Sequence, residues 1–109
     1  MTADELKKLA EFAGLNPKEM IGNIRYWEKR QADWVVWQPH LRIEQAMMVA
    51  DRAFGFWQLT RSKTIDDEWR FRLTAAYIHK GHGCLTVDSR WMSTPSEAIC
   101  AAALAAKEV

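Results

Sequence analysis

Apolar positions change their spacing several times along the chain, and each change marks an element. Leu6, Leu9, Ala10 and Ala13 recur at helical intervals behind Thr2-Ala3-Asp4-Glu5. That tetrapeptide reads as a capping box, in which Thr2 accepts from the Glu5 backbone and Glu5 reaches back. Gly14 suits the left-handed position after a helix, and Leu15 closes a Schellman-type contact. Asn16, Pro17 and Glu19 repeat the start signal with a cap, an N1 proline and an N3 carboxylate. They predict a second, short helix stopped by Gly22-Asn23. From 24 to 38 the aromatic and β-branched residues Ile24, Tyr26, Trp27, Trp34, Val35, Val36 and Trp37 predict two short strands. Arg30-Gln31-Ala32-Asp33 supplies the turn between them, and Pro39 ends the segment. Ile43, Ala46, Met47, Ala50, Ala53 and Phe54 then share one stripe, with Glu44, Gln45, Asp51 and Arg52 opposite, which predicts a helix over 41–54. Gly55 is its expected C′ residue. Its start is poorly capped, because His40 is not a preferred capping residue.

Three strand-like runs follow. Phe56 to Lys63 leads into the polar turn Thr64-Ile65-Asp66-Asp67. Glu68 to Ile78 alternates, with Trp69, Phe71, Leu73, Ala75 and Tyr77 on one face and Glu68, Arg70, Arg72 and Thr74 on the other. His79-Lys80-Gly81-His82-Gly83 reads as the next turn, and Cys84 to Trp91 as the third strand, with Leu85 and Val87 on one face. Thr94, Pro95 and Glu97 give a cap, an N1 proline and a capping box for a closing helix, whose Ile99, Cys100, Ala102, Ala103, Leu104 and Ala106 form a broad apolar surface of small residues. Short turns between the strands imply an antiparallel meander. The expected fold is therefore α+β: a three-stranded meander and a short N-terminal hairpin, packed by helices. The polar face of the longest strand places those helices mainly on one side.

Length and composition narrow the picture. A chain of 109 residues is one domain, 1–109, able to bury a core without disulfide staples. The net charge of +1 argues against nucleic acid as the main partner and equally against an acidic nucleic-acid mimic. Two cysteines, Cys84 and Cys100, are too few for a disulfide framework and suit a reduced cytosol. The acidic start lacks a signal sequence, and no apolar run is long enough to span a membrane. Six tryptophans are the one compositional excess, and tryptophan serves both cores and binding surfaces.

The chain also resembles the phage ABA sandwich domain family, small proteins of tailed phages and prophages. The likeness is carried by Leu9-Ala10-Glu11-Phe12-Ala13-Gly14, by Trp34 and Trp37 before Pro39, and by Ile43-Glu44-Gln45-Ala46 with Val49. Thr94-Pro95 leading into Glu97-Ala98-Ile99-Cys100-Ala101-Ala102-Ala103-Leu104 is its most specific element. The resemblance implies a phage origin and an α-β-α arrangement around a small sheet. It brings no catalytic residue set, and His40 stands where the pattern would have a better helix cap.

Candidate chemistry is sparse. His79, His82 and Cys84 fall within six residues, but zinc needs three or four convergent ligands, and a polar turn followed by a strand cysteine accounts for them. Asp66-Asp67-Glu68 lacks the loop spacing of a calcium site and reads as a solvated turn. Cys100 lies in an apolar helical surface that disfavours a thiolate. Cys84 is better exposed by register, yet it has no third group to orient a base. No cofactor is called for. Arg70 and Arg72 share a strand face, with Arg61, Lys63 and Arg90 on neighbouring strands. Glu68 and Asp88 interrupt that basic patch. By strand parity Trp69 and Trp57 belong to the core, whereas Trp34 and Trp37 lie on opposite faces of a short strand, so one of them is expected at the surface, as a partner-binding anchor or as a lid over the core's open edge.

These features favour a non-enzymatic phage or prophage accessory protein in the host cytosol. It would bind a host or phage protein through Trp34, Trp37, His40, Arg70 and Arg72. Inhibition of a bacterial defence system such as CRISPR-Cas is one concrete version. One alternative is a small-molecule or nucleotide binder that sequesters a signalling ligand with Arg70, Arg72 and an aromatic such as Trp34. Another is a minor structural component of the phage. The sequence leaves the oligomeric state open.

Overall fold

The computed structural model describes residues 1–79 and 83–108; at 77–79, 83–85 and 107–108 it is the backbone that is described. Among the described residues three helices, α1 (Ala3–Phe12), α2 (Ile43–Ala53) and α3 (Pro95–Glu108), combine with six strands. β1 (Lys18–Met20), β2 (Asn23–Glu28) and β3 (Asp33–Val36) form one antiparallel sheet, in that order. β4 (Phe56–Lys63), β5 (Trp69–His79) and β6 (Gly83–Asp88) form a second. The expected α+β class and meander are present.

Local signals explain both outer helices. The Glu5 N–H donates to Thr2 Oγ1 at 3.2 Å, and the Thr2 N–H donates to Glu5 Oε1 at 3.0 Å. At the other end Gly14 adopts φ +74, the Gly14 N–H donates to the Glu11 carbonyl, and the Leu15 N–H donates to the Ala10 carbonyl. That pair of bonds is a complete Schellman closure. The α3 start is held by the Glu97 N–H, which donates to Thr94 Oγ1 at 3.2 Å.

α3 is the centre of the molecule. Ser96, Ala98, Ile99, Cys100, Ala102, Ala103 and Ala106 are all buried, so more than half of the helix circumference is enclosed, while Glu97, Ala101, Leu104 and Ala105 stay partly open. It packs on β5 and β6 with one side and on α1 and α2 with another. Leu9, Ala10, Ala46, Val49, Ala50, Leu73 and Ala75 complete a single core. The first sheet joins this core through Ile24, Tyr26 and Trp37. The outer face of the second sheet carries Gln58, Thr60, Ser62, Arg70, Arg72, Thr74 and Asp88, none of them buried. Among the described residues no helix covers it, so this sheet has helices on one face, not on both as the α-β-α resemblance implies. No helix among the described residues is long and apolar enough to cross a membrane.

Several expectations are corrected. The helix foreseen at Asn16-Pro17 is strand β1, because residues 18–20 pair with 23–25 of β2. Pairing with a neighbouring strand outweighs a cap signal that had too few residues to propagate a helix. The turn joining them places Ile21 at φ 49 and Gly22 at φ 74, the positive pair of a type I′ hairpin. Gly55 is not a left-handed helix end. Phe54 is the C-cap, with extended φ −122 and ψ 138, and the chain enters β4 directly. Gln45, expected on the polar side of α2, is only 2% exposed. Its Nε2 donates to the Val36 carbonyl at 2.8 Å, and its Oε1 accepts from the Gln38 N–H at 2.6 Å. One side chain thus satisfies both backbone groups where β3 leaves its sheet, and ties α2 to it.

Two changes test this account. Gln45→Ala strands the Val36 carbonyl and the Gln38 N–H, and should cost about 2 kcal/mol in urea unfolding. Ile21 is 93% exposed, so its strained backbone has no compensating burial. Ile21→Asn should raise stability by about 1 kcal/mol in the same measurement.

Candidate functional site

The open face of the second sheet gathers most of the polar chemistry, and a bulge completes it. Asp88 of β6 lies opposite Thr74, whereas Met92 lies opposite Phe71. Four steps on one side therefore match three on the other, which is one extra residue. Ser89 fills the irregularity. Its N–H donates to the Leu73 carbonyl at 2.8 Å, and its Oγ accepts from the Leu73 N–H at 2.8 Å. Beyond it, Phe71 and Met92 exchange backbone bonds of 2.8 and 2.7 Å. The bulge changes the parity of the chain. Met92 packs against the core beside Phe71, and Trp91 turns to the face of Arg72. Without it Trp91 would stand opposite Phe71 on the inner face. The third strand accordingly ends at Asp88, not at Trp91 as expected.

Trp91 is 46% exposed, with the Arg72 guanidinium 6.0 Å from its ring centroid. Arg72 Nη2 pairs with Asp88 Oδ2 at 3.0 Å. Arg70 Nη2 pairs with Glu68 Oε2 at 2.9 Å, and Arg70 Nη1 donates to Ser93 Oγ at 2.7 Å. Ser62, Lys63, Thr64, Arg70 and Trp91 line a shallow concavity of about 460 Å³. At the tip of the β4–β5 hairpin, Arg61 lies 4.5 Å and Lys63 5.6 Å from the Trp69 ring centroid. Trp69, expected in the core, is 46% exposed. It does face the inner side with Leu73, but β5 runs about 36 Å while the α3 helix covering it runs only about 21 Å. The hairpin therefore projects beyond its cover. Trp57 packs partly against the core as its parity suggested.

The remaining candidates are scattered. Trp37 is wholly buried, donates through Nε1 to the Leu6 carbonyl at 2.9 Å, and stands edge-on to Tyr26, so it offers no surface to a partner. Trp34 is half-buried on the first sheet, edge-on to Trp27 at 5.7 Å, with Lys18 Nζ 5.8 Å from its ring. It does not join Arg70 and Arg72 on the second sheet; Trp91 takes the aromatic place beside them. His82 and the side chains of His79 and Cys84 lie outside the described residues, and among those described no group of histidine, cysteine and carboxylate is arranged to hold a metal. Asp67 pairs with Lys63 at 2.6 Å and adopts φ 67 in the turn.

A second concavity, an open groove of about 610 Å³, is lined by His40, Glu5, Glu97 and Arg90 over an apolar floor that includes Met92 and Leu104. Its carboxylates are engaged as capping partners of Thr2 and Thr94. The hydrogen bonds from Thr2 hold the Glu5 carboxyl below its ordinary range. His40 is partly buried, and its Nδ1 is shut from solvent without a hydrogen-bond partner. Burial pushes the His40 imidazole below the usual histidine range; the N-terminal ammonium adds to this and Glu97 opposes it. Cys100 is buried in α3, and burial, then the Glu97 charge, pushes its thiol up to about 12.

A histidine with a depressed pKa binds fewer protons folded than unfolded, so stability falls as pH drops through the unfolded value of about 6.5. The loss levels off once pH is below the folded pKa. His40→Gln should remove that part of the acid sensitivity while leaving the carboxylate-driven loss at lower pH, as read from thermal melts across pH.

No protein-family model, no curated protein and no solved structure matches the chain, so the chemistry of its own residues carries the functional reading.

Proposed function

We propose that this chain acts by binding another protein, and that the open face of the second sheet is its contact surface. The observation that carries the reading is Trp91, turned outward by the bulge at Ser89 and held over Arg72 beside Arg70. Tryptophan and arginine are among the residues that most often dominate protein interfaces. Both arginines keep one acidic neighbour, which presets their side chains and leaves further N–H donors for a partner's carboxylates. The partner that fits is a protein with an acidic surface. With the phage-family resemblance, the fuller form is a phage or prophage accessory protein that binds host machinery in the cytosol, such as a CRISPR-Cas defence complex, and performs no catalysis. Burial pushes the Cys100 thiol up to about 12, which removes that one candidate nucleophile at neutral pH.

The rival is nucleotide binding in the concavity of Ser62, Lys63, Arg70 and Trp91, with the base on the indole and the phosphate on the cations. A thermal-shift series with nucleotides separates the two. A large shift for one nucleotide favours the rival, and a flat series favours a protein. A structural phage component would instead co-purify with virions.

The test of the main reading uses the wild type and the double variant Trp91→Ala/Arg72→Glu, each confirmed folded by its melt. Expressed in a bacterium with an active CRISPR-Cas system, the wild type should raise plating of a targeted phage, and the variant should lose that effect. Affinity for the captured host protein should fall at least about 100-fold, since two interface anchors of about 2 kcal/mol each are removed. Equal capture and equal plating for both proteins would overturn the assignment.

A further inference from the structure

β4 is the outer strand of the second sheet. It pairs with β5 on one side and, among the described residues, with no strand on the other. Seven of its eight residues are exposed. A bare edge of this length presents a row of unpaired N–H and C=O groups, which folded proteins usually guard with charge, proline or a bulge. Here the guard stands at one end only. Arg61 and Lys63 occupy the C-terminal part, while residues 56–60 carry neither charge nor proline. Phe56 is 64% and Leu59 36% exposed.

We propose that β4 pairs antiparallel with β4 of a second copy of this chain, about a two-fold axis at Leu59, joining two three-stranded sheets into one of six. The backbone is poised for it. The Thr64 N–H donates to the Glu68 carbonyl at 2.8 Å, so by antiparallel alternation the even-numbered residues of β4 exchange bonds with β5. Trp57, Leu59 and Arg61 then aim their N–H and C=O groups at the free edge. In one continuous sheet, facing residues share a face, so odd positions must meet odd positions. With the axis at Leu59, that residue meets its own copy, Trp57 meets Arg61 of the second copy, Gln58 meets Thr60, and Phe56 meets Ser62.

Charge selects this arrangement. Arg61 faces an indole and Lys63 faces Gly55, so no like charges oppose each other. A parallel pairing would set Arg61 and Lys63 against their own copies. An axis one residue to either side forfeits both the leucine contact and the arginine–indole contact. Arg61 already lies 4.5 Å from the Trp69 ring on the same face, and the second indole completes an aromatic contact around its guanidinium. The pairing sets the two open faces side by side and doubles the Trp91–Arg72 surface. It rests on the strand edge and not on the binding reading above, so either stands if the other fails.

Analytical ultracentrifugation of the full chain over graded concentrations tests it. The expected result is a concentration-dependent species of twice 12.6 kDa. Leu59 lies outside the core, so Leu59→Lys and Leu59→Glu should keep the fold, checked by circular dichroism melts. Each variant alone places like charges together at the axis and should dimerise at least about tenfold more weakly, a penalty of about 1.4 kcal/mol. An equimolar mixture should recover a dimer. A wild type that stays monomeric, a dimer that both variants retain, or a mixture that fails to associate would each overturn the proposal.

Discussion

The fold depends on a helix that can be buried over more than half of its circumference. α3 meets β5 and β6 with one side and α1 and α2 with another, and its contact positions are Ser96, Ala98, Ile99, Cys100, Ala102, Ala103 and Ala106. Alanine at four of those positions lets backbones approach closely and costs little side-chain entropy on burial. A helix rich in leucine would hold its neighbours apart. The same enclosure puts Cys100 out of reach of solvent and keeps it a thiol. The other elements contribute large buried side chains, Leu9 from α1, Val49 from α2, Leu73 from β5 and Trp37 after β3.

Coverage by α3 divides the second sheet into regions with different physical roles. Where the helix lies over it, Leu73 and Ala75 are buried. Beyond the helix, the same face continues outward as Arg61, Lys63 and Trp69, solvated and held together by cation–π contacts. Among the described residues the opposite face has no cover, and it carries Arg70 and Arg72. The bulge at Ser89 is the device that joins an aromatic to them. It costs the ladder one regular bond, which the serine hydroxyl replaces, and it exchanges Met92 for Trp91 at the core.

Legibility of the surface in the sequence follows from this geometry. Arg70 and Arg72 were readable as neighbours on one face, because side-chain period in a strand depends only on position. Their acidic partners Glu68 and Asp88 were readable as interruptions of a basic patch. Trp91 was not readable. Its face depends on a one-residue shift between β6 and β5, and no glycine or proline in Ser89-Arg90 signals it. Trp69 was assigned the right face and the wrong environment, because alternation says nothing about where a covering helix stops. Trp37 and Gln45 exchanged their expected roles for a related reason. Each is fixed by a backbone group far from it in the chain: Trp37 by the Leu6 carbonyl, Gln45 by the Val36 carbonyl.

What the sequence by itself determined are the features closed by bonds within a few residues: the Thr2–Glu5 and Thr94–Glu97 caps, the Gly14 closure, the turn at 64–67 and the alternation of β5. What only the tertiary structure decided is where those pieces meet. β1 became a strand because β2 lay beside it, against a helix signal in its own residues. The first sheet gained a third strand, the second kept an open face, and Trp69 and Trp91 were left at the surface by the length of α3 and the bulge at Ser89. Local hydrogen bonds are specified by residue type and spacing. Burial and register are specified by partners remote along the chain, and the residues of one segment alone do not encode them.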